Sequence, residues 1–202
     1  SDYLIFLQII LFLFITPGLP RVLIVSHTLN YGLKRSIWTA IGDVSANTIQ
    51  GILIVFIIGS FLSDNPQILY YLKWAGIIYI VYLAYDTYTA KINTINSKKQ
   101  FIKSTFSFYK DGFLIASFSP KAIIFFGTIF SSFINYDSNV ISQFIILMTT
   151  YVVLDFISLM VYGIAAEKIS LWLKSKPKVL NTISACVLII LAVYIAVTQN
   201  FS

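Results

Sequence analysis

Residues 141–166 read ISQFIILMTTYVVLDFISLMVYGIAA, a stretch in which Asp155 is the single charged residue. As an α-helix it extends about 39 Å at 1.5 Å per residue, enough to cross a hydrocarbon core about 30 Å thick. Working outward, comparable apolar stretches occupy roughly 3–31, 36–62, 68–90, 112–134 and 179–199, six in all within 202 residues. The composition agrees: 58% of residues are hydrophobic and 11% charged, with a mean hydropathy of +0.85. The pattern predicts an all-α membrane protein of six transmembrane helices, because a soluble fold of this size cannot hide so much apolar surface.

The basic residues predict an orientation. Lys34 and Arg35 follow the first stretch. Lys91, Lys98, Lys99, Lys103 and Lys110 follow the third, and Lys168, Lys174, Lys176 and Lys178 follow the fifth. Cytoplasmic loops retain Lys and Arg, so loops one, three and five are placed inside and both termini outside. The first stretch lacks a basic leader and a small-residue cleavage site, so it is read as a structural span and not a signal peptide. The net charge of +6 is then a topology signal and a contact with anionic lipid headgroups. No basic patch interleaved with aromatic residues points to nucleic acid.

One sizeable linker, about 91–111, divides a single transmembrane domain spanning 1–202. It leaves a first unit of about 1–90 and a second of about 112–202. Three spans in each half oblige the second half to lie inverted relative to the first, the plan of many secondary transporters. Each half opens with an interrupted span: Pro17-Gly18 followed by Pro20 and Arg21 in the first, Ser119-Pro120-Lys121 in the second. Proline removes a backbone donor and clashes with the preceding turn, so broken helices are expected at Pro17-Gly18 and at Pro120. Carbonyls freed at such a break persist at membrane depth only where protein or a wet cavity satisfies them.

Four charges lie inside apolar spans, where each is costly unless paired or hydrated. They are Arg21, Asp43, Lys121 and Asp155. From the basic-loop ends of their spans, Asp43 sits about 10 Å deep and Asp155 about 16 Å, at 1.5 Å per residue. Lys121 falls near the midplane, and Arg21 is expected to snorkel partly toward the cytoplasmic side. Helical spacing sets Ser36, Thr39, Asp43, Asn47 and Gln50 on one face, and Tyr151, Asp155, Ser158 and Tyr162 on another. Ser117, Lys121 and Thr128 are expected to align likewise. Two aspartates and a lysine exceed what helix–helix adhesion requires, which favours a transport pathway over a structural Lys121–Asp salt bridge. His27 is placed toward the cytoplasmic mouth, and Cys186 is expected as a small buried apolar residue.

Several short motifs in fixed order resemble a known family. They are Thr16-Pro17-Gly18, Leu72-Lys73-Trp74-Ala75-Gly76 with Tyr79, Ser119-Pro120-Lys121, Phe130 to Ile134, Val153 to Asp155, and Leu171-Trp172-Leu173-Lys174. Over nearly its full length the chain resembles the lysine-exporter (LysE) superfamily, in particular its homoserine/threonine-exporter (RhtB) branch. The resemblance implies export of amino acids or close derivatives through the bacterial inner membrane, driven by the proton gradient. Departures are Leu19-Pro20 where the family continues Pro-Asn, Ser119 where it has Asn, and Ala46-Asn47 where many members carry Gly-Asp.

A zwitterionic amino acid needs donors for its carboxylate and acceptors for its ammonium. Lys121, Arg21 and the N–H groups at a broken helix start are the candidate donors. The candidate acceptors are Asp43, Asp155, Asn47 and carbonyls freed near Pro17 and Pro120. Burial favours a neutral carboxyl and a neighbouring cation a charged one, so Asp155 is the expected proton site, with Asp43 sharing it and contacting substrate. The substrate-binding set is thus Pro17, Gly18, Arg21, Asp43, Asn47, Ser119, Pro120 and Lys121, with protons and membrane lipids as further partners and a homo-oligomer left open. No cofactor is called for. A cation or metal-ion exporter of similar architecture stays open, although one His and one Cys argue against a soft-metal site. A non-transporting membrane scaffold also stays open. An enzyme is not expected, since no nucleophile stands with a positioned base, and a lone Cys186 cannot form a redox pair.

Overall fold

The computed structural model describes residues 2–15, 18–58, 67–89, 103–135, 137–173 and 177–198. The described residues contain helices and no strands. The helices are α1 (Asp2–Ile15), α2 (Leu19–Tyr31), α3 (Leu33–Leu53), α4 (Gln67–Thr89), α5 (Thr105–Ser117), α6 (Pro120–Phe125), α7 (Val140–Leu173) and α8 (Pro177–Thr198). A wider π-helical turn extends α3 over Ile54–Ile58 and another extends α6 over Phe126–Phe130.

Two apolar helices, Leu33–Ile57 and Val140–Ile169, are each long enough to cross a membrane unaided. Two further spans arise when bent pairs are counted as units: α1 with α2 at 49°, and α5 with α6 at 55°. The second bend falls at Pro120, where a break was expected. The first lies between Ile15 and Leu19, and Thr16 and Pro17 themselves fall outside the described residues. Helices α4 and α8, 23 and 22 residues long, coincide with the third and sixth apolar stretches. Helix α5 begins at Thr105, so the chain is already helical within the stretch assigned to the linker.

Glycine decides two features. Gly32 adopts φ +87°, a left-handed conformation that side chains disfavour, and there the chain turns from α2 into α3. Gly42 of α3 and Gly112 of α5 let those helices meet backbone to backbone. A Cβ on Gly42 would lie 2.1 Å from the Tyr109 carbonyl oxygen, and one on Gly112 2.0 Å from that of Thr39. This small-residue contact is the kind on which membrane helices associate, since apolar surface gains nothing by leaving lipid.

Toward one end of the bundle, Phe6, Phe125, Phe126, Phe130 and Tyr151 interlock in a buried aromatic core. Outward faces carry Phe12, Ile57, Ile78, Ile146 and Ile190, all exposed. A surface so apolar suits lipid and not water. Cys186 belongs to this outer surface, correcting its expected burial: on α8 it faces away from the packed side that carries Ala185 and Leu188.

Candidate functional site: a charged cluster between two broken helices

Breaking a helix leaves its last carbonyls without intrahelical donors. At the end of α1 three side chains from the second half supply them. Lys121 Nζ donates to the Leu13 carbonyl at 3.0 Å, Ser158 Oγ to that of Phe14 at 3.3 Å, and Tyr162 Oη to that of Ile15 at 2.9 Å. At the end of α5 the donor comes from the first half: Gln50 Nε2 reaches the carbonyls of Ala116 at 3.2 Å and Ser117 at 2.9 Å. Each break is therefore held open by the other half of the chain. Lys121 also places a positive charge at the negative end of the α1 dipole.

Beside these breaks lies the charged cluster. Arg21, near the start of α2, pairs with Asp155 of α7 at 2.5 Å, approaches Ser158 Oγ at 3.4 Å, and rests over the Phe14 ring. Asn47 of α3 donates through one nitrogen to Asp43 Oδ2 at 3.0 Å and to Asp155 Oδ2 at 2.9 Å. All four side chains are buried: Asp155 is 0% exposed, Asp43 1%, Asn47 3% and Arg21 7%. Taking an ion out of water costs several kcal/mol, and the close contact of Arg21 with Asp155 offsets part of that cost. Asp43 has no cation against it among the described residues.

Several buried polar atoms here lack a partner among the described residues: Asp43 Oδ1, Asn47 Oδ1, Arg21 Nε and Gln50 Oε1. Native interiors leave few such atoms unsatisfied. Two of them are acceptors, on Asp43 and Asn47, and Asp43 forms no ion pair among the described residues. That combination suits a proton or a small ammonium group.

The other expected site residues surround the cluster. Gly18 precedes α2, and a Cβ there would lie 3.9 Å from Lys121 Nζ. Ser119 is buried and caps the start of α6 by backbone, its carbonyl accepting from the Ile123 amide at 3.4 Å while its own amide donates back to the Ala116 carbonyl at 3.1 Å, and Pro120 is the first residue of that helix. Lys121 lies within electrostatic reach of Arg21 and Asp155. Pro17 lies outside the described residues.

Three details differ from expectation. Arg21 does not snorkel, because the break ahead of α2 starts a new helix that directs it onto α7. Asp155 takes Arg21 as its ion-pair partner where Lys121 was the candidate. Ser117, Lys121 and Thr128 do not share a face, since the chain bends between the first two and Thr128 is exposed, bonded to its own Ile124 carbonyl at 2.6 Å. A further polar group, His27 with Asp111 and Lys103, went unseen because Asp111 fell in the assigned linker. A lone acid flanked by Tyr109, Gly112 and Phe113 was the available signal.

The family model for LysE type translocators matches residues 11–199. The homoserine/homoserine lactone efflux protein of Salmonella typhimurium (strain LT2) is 23% identical over 174 residues, covering 84% of this chain and 82% of that protein. Its counterpart in Salmonella typhi is 24% identical over 174 residues, with the same coverage of 84% and 82%. An uncharacterized membrane protein of Bacillus subtilis (strain 168), YrhP, is 26% identical over 200 residues, covering 92% of this chain and 94% of that protein. No solved structure matches the chain.

Proposed function

The chain belongs to the LysE type translocator family, and on that premise we propose that it is a secondary exporter of small amino acids or close derivatives of the homoserine/threonine kind. It works in the bacterial inner membrane and couples export to inward proton flow. Its six spans form two inverted three-span units, with both termini on the outer side and the basic loops in the cytoplasm. The observation that carries the reading is the buried Arg21–Asp155–Asn47–Asp43 chain, with its unfilled acceptors beside two broken helices.

The inverted plan gains support from the breaks. Gln50 stands seven positions after Asp43, and Tyr162 seven after Asp155. Both reach the carbonyl end of the broken helix in the opposite half. A two-fold relation between the halves accounts for that reciprocity.

The zwitterion fits by charge. Its ammonium takes Asp43 Oδ1 and Asn47 Oδ1 as acceptors, and its carboxylate takes Lys121 and the N–H groups at the start of α2. Because Arg21 already balances Asp155, the geometry favours Asp43 over Asp155 as the proton carrier. A proton and the substrate ammonium then compete for the same oxygen. Export follows when the substrate leaves Asp43 on the outer side, a proton replaces it, and the protonated carrier returns inward. Asp155 holds Arg21 and, through Asn47, orients Asp43.

The test is homoserine uptake into inside-out vesicles with an imposed pH gradient, acidic inside. Wild type is expected to accumulate homoserine, and Asp43→Asn to lose gradient-driven accumulation. Full gradient-driven transport by Asp43→Asn overturns the coupling role, and absence of amino-acid movement by wild type overturns the exporter reading.

A further inference from the structure

Beyond the central cluster, a second buried polar group sits at the end of the bundle shared by Lys34, Arg35 and Lys103. Its centre is the ammonium of Lys103, just ahead of α5. Lys103 Nζ contacts Asp111 Oδ2 at 2.5 Å and lies 3.4 Å from His27 Nε2. It also faces the rings of Phe108 at 5.2 Å and Tyr31 at 5.6 Å from their centroids. His27 Nδ1 shares a 2.7 Å hydrogen bond with Thr39 Oγ1. The three rings of His27, Tyr31 and Phe108 meet edge to face, which fixes their orientation.

His27 Nε2 also lies 3.4 Å from Asp111 Oδ2, and it offers a lone pair to an ammonium in the tautomer that carries the proton on Nδ1. In that tautomer a carboxylate, a ring nitrogen and two aromatic faces converge on one point and suit an ammonium ion, through ion pairing, hydrogen bonding and cation–π attraction together. Lys103 fills that point by a flexible side chain from outside the helix that carries Asp111, so its ammonium is a removable occupant. Two facts tie the site to the pathway. On α2, His27 lies six residues beyond Arg21, about 9 Å along the axis, with Ile24 between them; on α3, Thr39 lies about one turn before Asp43, with Ala40 between. Ile24, Ala40 and Leu159 pack as a fully buried apolar layer separating the two polar groups.

We infer that His27, Asp111, Tyr31 and Phe108 form an outlying binding site for the ammonium group of the cytoplasmic substrate, and that Lys103 competes for it as a tethered mimic. This rests on the amino-acid export reading above. The site captures a primary ammonium at the cytoplasmic mouth, before the Ile24–Ala40–Leu159 layer parts to admit it to Asp43. While Lys103 is seated, the apparent affinity from that side is reduced by the fraction of time the mimic occupies the cage.

The test measures homoserine uptake into inside-out vesicles, whose outer face is the cytoplasmic one, for wild type, Lys103→Ala, Lys103→Gln and Lys103→Ala with Asp111→Asn. Both single variants are expected to lower the half-saturation concentration about threefold or more by removing the competing occupant. The double variant is expected to raise it above wild type. An unchanged or raised value in both folded single variants overturns the inference, since a merely structural ion pair would weaken transport when cut. Calorimetric titration of the purified proteins with ethylammonium chloride separates this from the export reading. Ethylammonium binding Lys103→Ala and Lys103→Gln more tightly than wild type supports the cage even if homoserine is not carried. Equal binding by all three overturns it even if homoserine is carried.

Discussion

Asn47 and Asp155 stand 108 positions apart, yet the Asn47 amide nitrogen lies 2.9 Å from Asp155 Oδ2 and 3.0 Å from Asp43 Oδ2. One neutral side chain thus bridges two buried carboxylates, one from each half of the chain. An amide suits the position: its NH₂ supplies two protons and adds no charge, so the arrangement depends on this donor and not on a second cation.

Asn47→Leu removes both hydrogen bonds while keeping the branched shape of the side chain. Hydrogen bonds to charged groups contribute about 1.5–3 kcal/mol each, so a loss of about 3 kcal/mol or more in stability is expected, with homoserine transport reduced at least about tenfold. Unfolding in detergent and vesicle uptake measure the two effects. A variant as stable as wild type would show the bridge to be energetically idle.

Arg21→Met strands the Asp155 carboxylate, and leaving a buried charge uncompensated costs about 3–5 kcal/mol. Adding Asp155→Leu removes that charge. The double variant is expected to recover most of the lost stability while transport stays absent. Recovery of transport together with stability would reduce the pair to a scaffold role.

The proposed competition between proton and substrate for Asp43 fixes a sign. Protonation would remove the acceptor that the ammonium needs, so homoserine binding by wild type is expected to weaken as pH falls. Asp43→Asn cannot take up a proton there, and its weaker binding should vary less with pH. Equilibrium binding of labelled homoserine to purified protein across the acid-to-neutral range reads this directly. An equal pH dependence in both proteins would assign the titration elsewhere.

Gly112→Ala drives a methyl group into the Thr39 carbonyl, 2.0 Å from the new Cβ. Overpacking of this kind costs about 1–3 kcal/mol, and more where only backbone can yield. The variant is expected to fall in yield and melting temperature. Gly18→Ala meets nothing nearer than 3.9 Å and should insert and fold normally. Equal stability of the two variants would contradict the close approach of α3 and α5.

Tyr162→Phe deletes the hydroxyl that serves the Ile15 carbonyl, and Gln50→Leu deletes the amide that serves Ala116 and Ser117. A carbonyl left without a donor where water cannot replace it costs about 1–3 kcal/mol. Gln50→Leu, which strands two part-buried carbonyls, should destabilise by that order, and Tyr162→Phe by less, since its bond lies on the exposed side. Thermal unfolding in detergent is the measurement.

Membrane-length apolar runs, prolines within them and four intramembrane charges were legible directly, because length, ring constraint and desolvation are properties of a segment by itself. So were the polar faces of α3 and α7, since helical periodicity alone aligns Asp43 with Asn47 and Asp155 with Ser158. Residues 16–17 and 90–102, which hold Pro17 and most of the assigned linker, lie outside the described structure.

Partnership was a different matter. Whether Arg21 or Lys121 would neutralise Asp155 turned on the direction in which α2 leaves its break, and no local pattern encodes that direction. The tertiary structure gave Asp155 to Arg21 and brought Lys121 to the Leu13 carbonyl. It also brought His27 to Lys103, 76 positions further along the chain, and to Asp111 beyond it, in one polar group. A periodic sequence specifies which side of a helix is polar; which charges meet is decided only when those sides pack, because Coulomb and hydrogen-bond energies depend on distances that packing alone sets.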